Sequence, residues 1–376
     1  MKYFEGGGFW DRDAGMYLQG FQALGIDARF VALGEPAVST DRPLILCAQA
    51  QMEDAQWWRQ WNLEGVVLYS WALPRFTGII RALNQAGIKV VLLLDTDGVM
   101  LPQIWPARYL EVKYHYAKAS GKLLPWADAL ARTLFGSFTS RQAGTVEHLA
   151  YASRIALPSP ISLQRYARFL SVLGRADLIS KLVMIHHPVV NQMRYAAGTA
   201  KRPVIIAVGN WQLHLKGAPL LVRTLGVVLA REPAYSARLI GAGADALRRL
   251  VQALPSEVQT RIQVLGPVPH QQLPAHYQES QIILSTSTSE SFGIACAEAL
   301  CCGCSVVGLA KIGSMIHFCS TYSGTLAPTR SVGNYSDAVL AEISAWRNGE
   351  RDPEKMSAIW TRKCHVENVA RAVVSL

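Results

Sequence analysis

The chain has no apolar run of membrane-spanning length. Half of its 376 residues are hydrophobic, but charge or glycine breaks them into short segments, well below the ~20 residues a spanning helix needs. Its first residues, MKYFEGGGFWDRD, lack the charged-then-apolar order of a secretory leader, so the expected compartment is the cytoplasm. Cysteine is sparse and odd in number, seven in all, which fits a reducing environment rather than a disulfide scaffold. Cys296, Cys301, Cys302 and Cys304 crowd together, but no second C-x2-C pair accompanies them, and small buried thiols are a simpler expectation than zinc. Acidic residues are in deficit, 27 against 37 Lys and Arg, for a net charge of +10. Seven of that excess lie between Trp105 and Lys181, where 11 basic residues meet 4 acidic ones among Tyr114, Tyr116 and Trp126. Such a face suits an anionic membrane or plain solvation. No nucleic-acid recognition motif accompanies it.

At this length the chain can fold two ordinary domains. Early on, short apolar runs alternate with helical patterns: VAL at Val31–Leu33, LILCA at Leu44–Ala48, a Trp-rich helix through Trp57, Trp58 and Trp61, GVVLYS, a helix at Thr77–Gln85, and VVLLLD ending at Asp95. Continuous apolar strands between helices predict a parallel sheet covered on both faces, with ligands at the strand carboxyl ends. Asp95 and Asp97, in LLLDTDG, fall at such an end. Before them, Gly6, Gly7 and Gly8 separate a short strand at Lys2–Glu5 from a helix around Met16–Leu24. That order suits close approach of a phosphate, or simply a flexible turn. His186, His187 and Pro188 precede an expected linker at 188–201; adjacent histidines on an extended segment point opposite ways and make no metal pair. A further strand, loop and helix begins at Val204–Gly209 and brings Lys216 and Gly217 to a helix start. There an ammonium and the helix dipole can together neutralise a diphosphate.

The stretch Ser285–Gly308, STSTSESFGIACAEALCCGCSVVG, concentrates the chemistry. QIILS reads as a strand, Thr286–Ser291 as a polar loop, Ile294–Leu300 as a small-residue helix stopped by Gly303, and Ser305–Val307 as the next strand. The loop delivers Glu290 to the helix start, where the N–H groups of Phe292, Gly293 and Ile294 suit an anionic oxygen and Gly293 permits close approach. Glu298 lies further along, no more than ~12 Å away if the segment is helical throughout. Two carboxylates so placed can grip a long polyhydroxy ligand with a phosphate between them. By spacing alone, a helix-start charge and a solvated face residue explain them better.

The wording of this stretch resembles the E-x7-E motif of the family-4 retaining glycosyltransferases of GT-B architecture, close to S-x-x-E-G-F-G-x-x-x-x-E-A-x-A-x-G-x-P-V. Ser287, Glu290, Phe292, Gly293, Glu298, Ala299, Gly303 and Val306 keep the register, with Ser291 for the first glycine and Ser305 for the proline. Gly209, Lys216 and Gly217 resemble the family's G-R-x(5)-K-G, with Asn210 in place of the arginine. The resemblance is dense over Lys201–Gly308 and only architectural before it.

The resemblance implies an α/β fold of two Rossmann-like doubly wound parallel-sheet domains facing a cleft. Residues 1–190 would take the acceptor, 191–355 the nucleotide sugar, and 356–376 would form a helix returning to the first domain. It implies a donor site of Gly7, Gly8, Gly209, Asn210, Lys216, Glu290, Ser291, Phe292, Gly293, Ile294 and Glu298, with Glu290 at the sugar and phosphate end and Glu298 on the ribose. Glu290, Lys216 and Asp95 are the expected catalytic residues, Asp95 standing where many members carry a His, and His317 stands in the place of a commoner Glu. The Asp-Thr-Asp also resembles the D-x-D of metal-dependent transferases, but the rest follows the metal-independent pattern, so neither a metal nor a cofactor beyond the donor is expected. The expected activity is transfer of a sugar, with retention, from a nucleoside-diphosphate sugar to a small-molecule, glycan or lipid-linked acceptor. It would take place in the cytoplasm or at the inner face of the membrane. Two alternatives stand beside it: a hydrolysing sugar-nucleotide epimerase using Asp95 and Asp97, and a non-catalytic partner subunit whose donor site has decayed at Asn210, Ser291 and His317.

Overall fold

Every strand pairing among the described residues of the computed structural model is parallel. The structure describes residues 13–34, 43–70, 72–98, 106–120, 124–134 and 139–376. The glycine run with Gly7 and Gly8, and the strand expected before it, lie outside them. The chain divides into two units, residues 1–188 with 366–376, and residues 189–365.

In the first unit β1 (Phe30–Leu33) pairs with β2 (Leu44–Cys47). A four-stranded sheet runs in chain order through β3 (Gly65–Tyr69), β4 (Lys89–Leu93), β5 (Arg154–Leu157) and β6 (Leu182–Met184). Beyond Lys89 and Arg154, the exposed first residues of β4 and β5, its strands carry no charged residue, because both faces are covered. Leu92 and Ile155 point into a core with Ile80, Leu83, Phe169 and Leu170. Their neighbours Leu93 and Ala156 point the other way, onto Tyr17, Val369 and Val373. That second face is closed by the helices Asp13–Ala23 and Val366–Val374, packed so closely that a Cβ on Gly20 would come within 2.3 Å of Val366 O. The helices Pro106–Ser120 and Leu124–Leu134 pack on each other around Tyr109, Leu110 and Ala129.

The return to the first unit starts later than expected. Residues 356–365 belong to the second unit, because the helix Pro353–Cys364 lies against Ile294–Cys301 and buries Met356, Ser357 and Trp360. Ser357 Oγ donates to Cys301 O at 2.5 Å. Only from Val366 does the chain rejoin the first unit.

The second unit is a six-stranded sheet of β7 (Arg202–Val208), β8 (Ser236–Ile240), β9 (Ile262–Gly266), β10 (Ser280–Leu284), β11 (Ser305–Leu309) and β12 (Gly324–Ala327), in the order β12-β11-β10-β7-β8-β9. The chain winds outward from β7 to β9, returns to the other side of β7, and winds the opposite way through β10 to β12. Between β7 and β10 the connections therefore leave in opposite directions and open a crevice at the carboxyl ends of the strands, the dinucleotide-binding arrangement.

The helix Thr139–Tyr151 carries His148 into the core of the first unit, where it has no exposure and its Nε2 shares a 2.7 Å hydrogen bond with Ser70 Oγ. Burial holds its pKa down at about 4, against a weaker upward pull from Glu147. A histidine that titrates near 6.5 when unfolded and about 4 when folded is neutral in the native protein. Its contribution to stability is complete above pH 6.5 and is lost as the pH falls towards about 4. The melting temperature should fall across that window, and His148→Gln, which keeps a polar partner for Ser70 without titrating, should make the fall shallower. A slope equal to the parent's would place the acid sensitivity in other groups.

Candidate functional site

Two loops meet at the crevice between β7 and β10, and hydrogen bonds tie one to the other. From β7 the chain passes Gly209 into a single turn, His214–Lys216; from β10 it runs through Ser285 to Gly293. Thr288 N–H donates to Leu215 O at 2.8 Å, and Thr286 Oγ1 to Lys216 O at 2.8 Å. This clamp places Lys216 Nζ 2.5 Å from Glu290 Oε1, which also accepts from Ser287 Oγ at 2.6 Å. The side chains of the pair are 25% and 15% exposed. They are shielded enough for their charges to act strongly and open enough to meet a ligand. Gly209 lies beneath the lysine stem, and Asn210, exposed, accepts Gln212 N–H at 3.2 Å.

Gly293, at φ +89°, is the N-cap of the helix Ile294–Cys301, which has no side-chain cap. A Cβ there would sit 3.0 Å from Met315 Cε in a left-handed backbone, so glycine is required. The first-turn N–H groups of Ile294 and Ala295 have no intrahelical acceptor. Phe292, fully buried edge-on against Phe318, anchors the loop, while Ser291 is half-buried.

Glu298, further along the same helix, is 4% exposed, and each of its oxygens has a partner. Its Oε1 accepts from His270 Nε2 at 2.7 Å and its Oε2 from the Tyr277 hydroxyl at 3.0 Å. Burial, and then the Glu298 carboxylate, push the Tyr277 hydroxyl far above its usual pKa, so it is a permanent donor. The sequence reading singled out neither partner. They stand 28 and 21 residues before Glu298, on the turn after β9 and the helix that follows it, where no local spacing ties them to a carboxylate.

In the first unit Asp95 and His187 come together. They follow β4 and β6, on either side of β5, with Asp95 Oδ1 3.1 Å from His187 Nε2. Both line a water-sized space of about 10 Å³ with Tyr17 and Tyr69. Asp97 is held elsewhere: Arg165 Nη1 donates to its Oδ2 at 3.0 Å and its main-chain oxygen at 2.9 Å. The two carboxylates of the Asp-Thr-Asp thus take separate partners. Among the described residues no group of three His, Cys, Asp or Glu is placed to hold a metal. Cys296, Cys301, Cys302 and Cys304 are free and buried, and burial raises their thiol pKa values, which makes them unreactive. His317 packs edge-on to Trp360 at 5.4 Å, and burial lowers its pKa to about 4.

The fold is that of the GT-B glycosyltransferases. The chain is similar over its whole length to the α,α-trehalose 6-phosphate synthase of Burkholderia multivorans (TM-score 0.65, 10% identity, 96% of that chain). It is similar over 96% of its length to a glycosyltransferase of Rickettsia africae (TM-score 0.64, 13% identity, 92% of that chain). HepE of Anabaena, solved with UDP and glucose, matches 89% of it (TM-score 0.60, 16% identity, 85% of that chain). Within the chain, residues 192–357 match the family described as Glycosyl transferases group 1. The D-inositol 3-phosphate glycosyltransferase of Kribbella flavida is 31% identical over 160 residues, 39% of this chain and 37% of that protein. The protein of the same name from Corynebacterium jeikeium is 32% identical over 144 residues, 36% and 34%. The chain thus spans little more than a third of the length of these curated relatives.

Gly293→Ala should lower stability by roughly 1–3 kcal/mol, the cost of a left-handed non-glycine residue held by its surroundings. Urea unfolding measures it, and an unchanged midpoint would mean that the turn relaxes freely.

Proposed function

We propose that the protein is a metal-independent, retaining glycosyltransferase of the family-4 type, using a nucleoside-diphosphate sugar as donor. The observation that carries this reading is the Lys216–Glu290 pair, set at the reversal of strand order beside an uncapped helix start. Sugar transfer breaks the bond between the anomeric carbon and the diphosphate, so negative charge grows on the departing oxygen. The Lys216 ammonium and the first-turn N–H groups of Ile294 and Ala295 stabilise that charge. As the diphosphate takes over the ammonium, Glu290 is released to accept from sugar hydroxyls. Glu298, both of whose oxygens are already oriented by His270 and Tyr277, keeps two of its four lone-pair sites for the ribose hydroxyls. The acceptor hydroxyl adds on the face that the diphosphate leaves, and its proton passes to the departing phosphate oxygen. In the first unit Asp95, oriented by His187, is assigned to sugar or acceptor hydroxyls.

The acceptor class stays broad: a small molecule, a glycan or a lipid-linked molecule. Lys113 and Lys118, on the helix Pro106–Ser120, belong to the basic segment that suits an anionic membrane, while Lys122 lies outside the described residues.

A thermal-shift panel of UDP, GDP, ADP and TDP should single out one nucleotide. Glu298→Ala should then weaken its binding by about tenfold or more, as charge-assisted ribose bonds are lost. Calorimetry showing parental affinity would remove Glu298 from the site. Lys216→Ala should cut turnover by about a hundredfold or more, and the parent's turnover should survive EDTA. Parental turnover in the lysine variant, or loss in EDTA restored by manganese, would overturn this mechanism.

A further inference from the structure

Ser314 is fully buried, and its hydroxyl has no hydrogen-bond partner among the described residues. It stands in the first turn of the helix Gly313–Phe318, which follows β11 at the strand-carboxyl edge of the second unit's sheet. In that sheet β10 lies between β7 and β11, so the loop that carries Gly293 has the lysine turn after one neighbouring strand and Ser314 after the other. Ser314 Oγ lies 4.0 Å from where a Cβ on Gly293 would be, and the same point is 3.0 Å from Met315 Cε and 3.3 Å from Phe318 Cε2. Both of those side chains are fully buried, so the hydroxyl has apolar company that offers it no acceptor. A closed helical position of this kind suits alanine. A hydroxyl there gives up its hydrogen bonds to water and gains none in the free chain. Its backbone is ordinary helix, so strain does not account for it.

Within reach of the hydroxyl is the start of the helix Ile294–Cys301, where Gly293, Ile294 and Ala295 are each partly exposed. An oxygen in the space that a side chain at Gly293 would fill comes within one hydrogen bond, or one bridging water, of Ser314 Oγ. We propose that Ser314 is a further donor-site residue whose hydroxyl donates to the terminal phosphate of the nucleoside diphosphate, directly or through one water. This rests on the transferase reading above and deepens it. The Lys216 ammonium meets that phosphate from the loop after β7, the Ile294 and Ala295 N–H groups from the loop after β10, and Ser314 from the turn after β11. A charged phosphate oxygen is the acceptor that the hydroxyl lacks, and hydrogen bonds to charged groups are the stronger kind. The hydroxyl therefore destabilises the free chain and strengthens the complex, which favours the bound state on both counts.

Calorimetry on the full chain tests this with the nucleotide that the thermal-shift panel selects. Its diphosphate and its monophosphate are compared in the parent and in Ser314→Ala, which removes one oxygen and keeps the helix. The diphosphate should bind the variant about tenfold more weakly, while the monophosphate, which lacks the terminal phosphate, should bind both alike. The melting temperature of the free variant should equal or exceed the parent's. Parental affinity for the diphosphate would reduce Ser314 to a packing residue or the seat of an ordered water, and overturn the proposal. An equal loss for diphosphate and monophosphate would overturn it too, since that is the mark of a displaced Gly293 turn. So would a lower melting temperature in the variant, which means that the hydroxyl is already satisfied in the free chain. A parent that binds none of the nucleotides sinks the transferase reading and the role of Ser314 with it, an outcome distinct from a parent and a variant that bind equally well.

Discussion

The reversal of strand order between β7 and β10 is the constraint on which the second unit's chemistry depends. Parallel strands at the centre of a sheet need crossovers on both faces, and where the winding changes direction two successive loops part. The sequence fills that gap with side chains of opposite charge, Lys216 from one loop and Glu290 from the other. Hydrogen bonds from Thr286 and Thr288 to the lysine turn then hold the loops together. Moving either strand in the order would carry one partner away from the other.

The acidic groups at the strand ends share a second feature: each is matched to a specific donor. Glu290 has Lys216 and Ser287, Glu298 has His270 and Tyr277, Asp95 has His187, and Asp97 has Arg165. A half-buried carboxylate without such a partner would take up a proton or swing into solvent. With partners the carboxylates keep one orientation, so a ligand meets groups already in place and little ordering is left to do on binding.

Local signals in the sequence carried much of this. Continuous apolar runs such as VVLLL and VIIAV marked buried parallel strands, and the helix Thr77–Gln85 falls where its periodicity placed it. The loop from Ser285 to Gly293 and the helix after it were readable because glycine, serine and glutamate fall at fixed offsets within one short segment. Contacts that depend on distant parts of the chain were not legible. His187 was set aside as one of two adjacent histidines, and only the sheet brings it to Asp95, 92 residues earlier in the chain. His270 and Tyr277 carry no spacing signal towards Glu298. The boundary at 356 failed for a related reason: nothing local in Pro353–Cys364 says that its apolar face belongs on the helix Ile294–Cys301.

The division of the chain also sets an order of assembly during synthesis. Residues 189–365 form an uninterrupted stretch whose two ends are joined, Val189 N–H donating to Cys364 O at 2.7 Å beside a parallel bridge from Val189 to His365. That unit can close as soon as its own residues have left the ribosome. The first unit cannot, although it is made first: one face of its sheet waits for Val369 and Val373. Translation therefore runs N to C while completion runs the other way, and the nascent first unit holds an uncovered apolar surface for as long as it takes to make some 180 further residues, at a rate of ~5–20 residues per second. For those seconds the exposed face, rather than the finished protein, sets the chain's demand on chaperones.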